Sequence, residues 1–485
     1  MGLPKDTQQW MNSFVKSTTD TMTDDHARDD AYQASLRFLY DRINYEKMAS
    51  GTARYPFRLH RTNELLKRLD LGEYLHDSVD RPKVPIVHIA GTKGKGSTST
   101  MVATSLSAAG VRTGLYTSPH LNHLEERFQI DGVACSPKQF TDLVNRIKPV
   151  AETLEADDLG SPSFFELTTA IALLHFDTQQ CDAIVLEVGL GGRLDSTNIC
   201  QPSVTAITSI GLDHQHVLGN TIAEIAAEKA GIIKPNVPVV SGLRPGDAAD
   251  VIAERCSEQQ SPLFKIGRDF DFERQPHRTW GSRVTFTGQT SPLKPSCDFD
   301  LKLEGAHQAQ NAAVAFAILN LLAQDHDFSL TAVADGMSST RCPARIERFD
   351  LPDGVTAILD AAHNSDSITA LGKCLAARFS KQPIVVVFGT SRDKSAEAML
   401  AILSQFADML ILTQFQGNPR YAPVEDLLPL VPNQIASRVV VEENPIEGCK
   451  TGLESLDEGG TMVVCGSFFL AAETRNWIID QQSPA

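Results

Sequence analysis

The chain has no Cys-x-x-Cys pair; its nine cysteines (Cys135, Cys181, Cys200, Cys256, Cys297, Cys342, Cys374, Cys449 and Cys465) are scattered. That spacing excludes a zinc knuckle and a disulfide framework, and reads as reduced, mostly buried thiols. No apolar run approaches the roughly 18 residues that a membrane-spanning helix needs. Residues 1–30 are polar, rich in Thr, Asp and Gln, without the apolar stretch of a secretory signal. They are expected to form a disordered extension, a misassigned start codon would look the same, and the expected location is cytoplasmic. Basic residues are in deficit, 44 Lys and Arg against 60 Asp and Glu, for a net charge of −16. Nonspecific binding to nucleic acid or to an anionic membrane is therefore disfavoured, and basic residues at any anion site must act locally. No internal repeat is visible.

What is present is an ordinary globular composition, 42% apolar and 21% charged over 485 residues, enough for two or more domains. One segment stands out. The apolar run 84–89 leads directly into Gly91-Thr92-Lys93-Gly94-Lys95-Gly96-Ser97, followed by a helical pattern over 98–109. A strand, a glycine-rich turn and a helix aim backbone N–H groups and the positive helix end at one point, which is how polyphosphate is held. The pattern G-x-x-x-x-G-K-[ST] is not met literally: two residues separate Gly91 from Gly94, and Gly96 stands between Lys95 and Ser97. A plain strand-to-helix joint is the alternative. Lys95 would repel the helix dipole unless an anion screened it, so Lys95 is expected on the β- and γ-phosphates.

Residues 31–76 read as helical, with Leu36, Leu39, Tyr40 and Ile43 on one face and a break near Ser50-Gly51-Thr52. Strand-like runs follow at 84–89, 183–188, 204–210 and 237–240, separated by helical patterns. This is the signature of a mostly parallel sheet covered on both faces, which binds nucleotide at its strand C-terminal ends. Residues 260–303 alternate and are bounded by Gly and Pro, predicting a small antiparallel patch, then a helix over 308–322. From residue 343 the alternation restarts, with strands at 355–359, 384–388, 409–412, 439–441 and 462–465 and no glycine-rich anion loop. The expected fold is α/β: a P-loop ATPase domain over 31–342 with a mostly parallel sheet, and a smaller Rossmann-like domain over 343–485 bringing the second substrate.

Three more segments end strands of the first domain: Thr117-Ser118-Pro119-His120-Leu121, 186–195 with Glu187, and Gly211-Leu212-Asp213-His214-Gln215. A hydroxyl, a carboxylate and an imidazole converging there can hold Mg²⁺ between nucleotide phosphate and a substrate carboxylate. Taken singly, Ser118 could be a turn residue and His214 a loop histidine. In the helical pattern 222–233, Lys229 lies among small and apolar neighbours. It is either a snorkelling lysine or a desolvated amine able to take up CO₂ as a carbamate that ligates metal.

The segments GTKGKGS (91–97), TSPHL (117–121), LEVGLGGRLDSTN (186–198), LDHQ (212–215) and EKAGIIK (228–234), in this order, resemble the bacterial folylpolyglutamate synthase/dihydrofolate synthase family of the Mur ligase superfamily. GAHQAQNA (305–312), RCPARIE (341–347), DAAHNS (360–365), GTSRDK (389–394) and CGSF (465–468) extend the resemblance over about residues 35–475. It implies that Gly91, Thr92, Lys93, Gly94, Lys95, Gly96 and Ser97 hold ATP phosphates. Ser118, Glu187, His214 and carbamylated Lys229 would ligate Mg²⁺ at two sites, with a monovalent cation as a further candidate cofactor. Asn311 and Arg345 would approach the nucleotide from the hinge side, and Asp360 and His363 from the second domain, whose closure would assemble the site. The implied reaction phosphorylates a carboxylate of 7,8-dihydropteroate or a reduced folate, and the amine of L-glutamate then displaces phosphate. A monomer with both activities is implied, without nucleic-acid or membrane partners.

The family usually has Asp-Gly-Ala-His-Asn-Pro and Pro-Gly-Arg where this chain has Asp360-Ala361-Ala362-His363-Asn364-Ser365 and Pro343-Ala344-Arg345. Alanine there tests whether those turns need positive φ. Ser163-Phe164-Phe165-Glu166 matches a segment near the family's pterin pocket, where Phe164 or Phe165 could stack on the ring; both could equally be core. Two other readings are a Mur-type ligase acting on a different carboxylate, such as a UDP-linked peptide, and a nucleotide-operated binding protein that forms no amide. The first wants a dedicated N-terminal UDP-binding domain, for which the roughly 80 residues before the loop leave little room. The second needs neither Lys229 nor an amino-acid pocket.

Overall fold

The apolar runs assemble into two sheets of mostly parallel strands in a computed structural model that describes residues 26–42, 59–77, 82–157, 159–293, 296–456 and 459–482. The chain divides into compact units at Arg341 and Cys342. In the first, β1 (Ile86–Ala90), β2 (Thr113–Tyr116), β3 (Phe128–Ile130), β4 (Val133–Ala134), β5 (Ala183–Glu187), β6 (Val204–Ile207), β7 (Val239–Ser241) and β8 (Leu263–Lys265) form one sheet in the order β4-β3-β2-β5-β1-β6-β7-β8. The strands from β2 to β8 in that order pair in parallel, and β3 and β4 add an antiparallel edge. Every residue of β1 and β5 is buried, as a sheet covered on both faces requires.

The helices that matter for the site are α1 (Lys95–Ala108), α2 (Phe164–Thr178), α3 (Ile222–Ala230) and α4 (Ala306–Leu322). One core cluster gathers Phe128, Phe140, Phe164 and Phe176, and a second gathers Ile207, Ile232, Ile233 and Ile252. The antiparallel patch is β9 (Phe270–Pro276), β10 (Ser282–Gly288) and β11 (Cys297–Leu301), with Phe286 and Phe299 packed on Phe316 of α4.

Four expectations are corrected here. Residues 263–265 leave the antiparallel patch and extend the main sheet beside β7. β6 stops at Ile207, not 210, because Thr208 and Ser209 turn their hydroxyls onto the glycine loop. α1 begins at Lys95, not residue 98, since Gly94 makes the left-handed turn (φ 83°) from which the chain enters the helix directly. The stretch read as helical over 31–76 holds helices His26–Tyr40 and Leu59–Arg68 and a 3₁₀ turn at Gly72–Tyr74. The break near Ser50-Gly51-Thr52 lies outside the described residues, as do residues 1–25 of the expected extension; residues 26–30 are helical.

The second unit carries β12 (Glu347–Asp350), β13 (Thr356–Leu359), β14 (Ile384–Phe388), β15 (Met409–Leu412), β16 (Val439–Val441) and β17 (Thr461–Cys465), ordered β12-β13-β17-β14-β15-β16. Only β12 runs antiparallel. β13 leads through Asp360 and His363 into α5 (Ser365–Phe379), capped by Asn364. Among the described residues no helix is long and apolar enough to cross a membrane.

Candidate active site

The glycine loop is held from outside itself. The amides of Thr92 and Lys93 donate to Ser209 O and Oγ (both 2.8 Å), and the Thr208 and Ser209 hydroxyls donate to Lys93 O (2.7 and 2.9 Å). A Cβ at Gly91 would stand 2.0 Å from Thr208 Oγ1, and one at Gly94 would stand 2.3 Å from Asn311 Oδ1 on α4. Both glycines are thus required by close approach, and Asn311, itself held by Gln308 (3.0 Å), lies against the loop at Gly94. Among the described residues no side chain caps α1, so the first-turn amides that follow Gly94 are presented to whatever anion the loop takes.

Next to this loop stand two of the four residues read as metal ligands, Glu187 and Ser118. Glu187, at the end of β5, is 4% exposed; Ser118, just beyond β2, donates its amide to Glu187 Oε2 (3.1 Å). A Cβ at Gly96 would lie 3.4 Å from the same oxygen, so the carboxylate faces the first turn of α1. His214, half-exposed and in a left-handed conformation (φ 49°), stands beside Asp213, which reaches Lys93 Nζ (3.4 Å). Among the described residues no three His, Cys, Asp or Glu side chains form a ready-made metal cluster.

Lys229 closes the other side. It is 4% exposed and donates from Nζ to Gly91 O (3.0 Å). Burial, and then the charge of Lys95, push its pKa down to about 7 against the pull of Asp213 and Asp195. Much of the amine is therefore neutral near pH 7, the form that adds to CO₂. The segment 189–198 clasps the end of α3: Arg193 N donates to Glu228 O (2.8 Å), and Asn198 Nδ2 donates to Gly231 O (3.1 Å). Asp195 within it is buried, which raises its pKa, while the Leu190 and Thr197 bonds and Lys95 oppose that rise. Asp213 and Asp195 were not singled out from the sequence, although both lie inside segments that were.

The two phenylalanines separate. Phe164 is wholly buried, stacked on Tyr40 (5.7 Å), and belongs to the core rather than to any pocket. Phe165 is half-buried and abuts the 189–195 loop, 3.2 Å from where a Gly189 Cβ would be. The Arg127 guanidinium lies over both rings, 5.2 and 5.8 Å from their centroids.

In the second unit, Asp360 takes the amides of Ile346 (2.6 Å) and Ala362 (2.8 Å). Burial pushes its pKa up to about 6, against Arg345 and those two amides. Arg345 lies over the Phe468 ring (6.0 Å), and His363 sets Nδ1 on Ala361 O (2.9 Å) at the N-terminal end of α5. The two alanines differ: Ala344 does adopt positive φ (53°), whereas Ala361 is not among the residues with positive φ. Ala344→Gly is therefore expected to stabilise the protein by about 0.5–1 kcal/mol, since a left-handed Cβ is worth roughly 1–2 kcal/mol of strain and glycine's added chain entropy offsets part of the gain. Thermal unfolding of the two proteins checks this; an unchanged or lower midpoint would show the turn is unstrained.

A buried carboxylate and a buried lysine around a phosphate loop, on a chain that also carries a separate Rossmann-like unit, define an ATP-dependent ligase of the Mur type. The Mur ligase middle domain family matches residues 89–319, and the Mur ligase glutamate ligase domain family matches residues 344–468. The dihydrofolate synthase/folylpolyglutamate synthase of Bacillus subtilis (strain 168) is 32% identical over 400 residues, 82% of this chain and 88% of that one. Mycobacterium tuberculosis folylpolyglutamate synthase complexed with ADP superimposes with a TM-score of 0.82 at 29% identity, over 94% of this chain and 100% of that one. E. coli FolC in complex with DHPP and ADP gives 0.78 at 27%, over 93% and 98%. The chain belongs to the folylpolyglutamate synthase/dihydrofolate synthase family.

Proposed function

We propose that this chain joins L-glutamate to 7,8-dihydropteroate and to the γ-carboxylate of reduced folates, driven by ATP. The observation that carries the reading is the grouping of the phosphate loop, Glu187 with Ser118, and the buried amine of Lys229 around Gly91 and Gly96. It acts as a monomer in the cytoplasm, with a monovalent cation as a further candidate cofactor.

The acceptor carboxylate attacks the γ-phosphorus, the bond to the bridging oxygen of ADP breaks, and an acyl phosphate results. The glutamate amine then attacks the acyl carbon, phosphate leaves, and the ammonium proton passes to solvent. Both reactants of the first step are anions, so it needs positive charge placed in advance. Lys95 and the amides of residues 94–97 supply it on the phosphate side. Glu187, Ser118, His214 and a carbamate on Lys229 offer the hard oxygen and imidazole donors that would hold Mg²⁺, whose charge would screen the two anions from each other. Phe165 offers the half-buried ring face for the pterin, and Arg345, Asp360 and His363 serve the nucleotide and the incoming glutamate. A nucleotide-operated switch that forms no amide leaves the buried Lys229 amine without a purpose.

Incubation with ATP, Mg²⁺ and L-glutamate tests this. ADP release and a mass gain of one glutamate are expected with both 7,8-dihydropteroate and tetrahydrofolate. Product from one acceptor alone would restrict the activity to that half, and ADP release without any amide would overturn the reading.

A further inference from the structure

His88 lies in the middle of β1, three residues before the glycine loop, and is wholly buried. Burial, with Lys234 nearby, pushes its pKa down to about 3, so the ring is neutral and carries one proton. Its surroundings decide which nitrogen holds that proton. Thr197 Oγ1 is 2.8 Å from His88 Nε2 and 2.6 Å from Asp195 Oδ1. Asp195 Oδ1 accepts both the amide and the hydroxyl of Thr197, so the single hydroxyl proton of Thr197 goes to that oxygen, and Thr197 must accept from His88. Among the described residues Nδ1 has no hydrogen-bond partner, and a proton there would be a stranded buried donor. Donation therefore runs from His88 Nε2 to Thr197 Oγ1 to Asp195 Oδ1.

Asp195 is where this chain of bonds meets the site. Its Oδ1 also takes the Thr197 amide (3.0 Å), and its Oδ2 takes the Leu190 amide (2.9 Å). It lies within electrostatic reach of Lys95 and Lys229, and a Gly189 Cβ would stand 3.3 Å from its Oδ2 and 3.2 Å from Phe165. One carboxylate thus anchors the 189–195 loop between the phosphate-loop lysine and the half-buried aromatic ring. We propose that His88 is a positioning residue for the ligase reaction: through the Thr197 hydroxyl it fixes Asp195, and with it the loop that borders Lys95 and Phe165. The kinetic consequence rests on the function proposed above; the hydrogen-bond chain does not.

Two measurements on the full chain separate these. With ¹⁵N-labelled histidine, His88 is expected to stay an Nε2–H tautomer with a bare Nδ1 between pH 5 and 8, and its Nε2 resonance should move in Thr197→Val. A protonated Nδ1 would overturn the proposal whether or not the protein turns over. In steady-state kinetics, His88→Leu fills the space without a donor, and kcat/KM for the pterin acceptor should fall about tenfold, one hydrogen bond's worth, while KM for ATP stays within about twofold. His88→Gln returns a side-chain N–H and should recover most of the loss, and Thr197→Ser should stay active where Thr197→Val does not. A purely structural histidine would make Leu at least as good as Gln, and that order would also overturn the proposal. If the unaltered protein forms no amide with any acceptor, the function has failed, and the resonance measurement alone decides the role of His88.

Discussion

Lys95→Ala should retain the fold and lose about 10²–10³-fold in kcat, the usual effect of removing one preorganised positive group from developing phosphoryl charge. Lys95 begins α1 immediately after the left-handed Gly94 and is only partly buried, so the thermal midpoint should hold. Binding should suffer less than turnover, because the backbone amides of the loop and the helix end remain. A nucleotide titration alongside single-turnover ADP formation tells these apart. If kcat were unchanged, Lys95 would not lie on the transferred phosphate, and Lys93, tied to Asp213, would become the cation to examine.

The second large effect is at Lys229. Lys229→Ala should abolish amide formation to within about 10³-fold, and millimolar acetate or formate should restore part of it if the native group is a carbamate. A ¹³C carbamate resonance should appear with labelled bicarbonate and vanish in the variant. The sign of the pH dependence follows from the lowered pKa: below about pH 7 the amine holds its proton and cannot add CO₂, so the bicarbonate requirement should sharpen as pH falls. Stability carries the same signature. Between about pH 7 and 10 the unfolded chain binds a proton at this lysine that the folded chain has released, so this group makes stability rise with pH, and Lys229→Met should flatten that rise. Full activity in Lys229→Ala would remove the lysine from the mechanism.

What could be read from the sequence was local. The glycine loop and Ser118 follow strands within a few residues and Glu187 ends one, and strand ends of a parallel sheet are where ligands gather. What could not be read depends on distant partners. β2 is four residues with Gly114 inside it, a poor strand signal, because a Cβ there would stand 2.5 Å from the Phe176 ring packed against it. β12, Glu-Arg-Phe-Asp, is a polar edge and has no apolar pattern to detect. Phe164 and Phe165 are adjacent on one helix, and only the rotation of α2 against Tyr40 decides which ring enters the core. His88 passed as one more residue of an apolar run, since nothing nearby in sequence shows that Thr197 waits 109 positions away.

Thr208 and Ser209 hold the glycine loop by hydrogen bonds, and Asn311 packs against it at Gly94. A cradle braced by its own neighbouring side chains has little ordering entropy to lose when nucleotide arrives, so affinity should not be drained by folding the loop around its ligand. Nucleotide should accordingly associate at a rate set by encounter rather than by rearrangement, and the slow conformational events of the cycle belong elsewhere in the molecule.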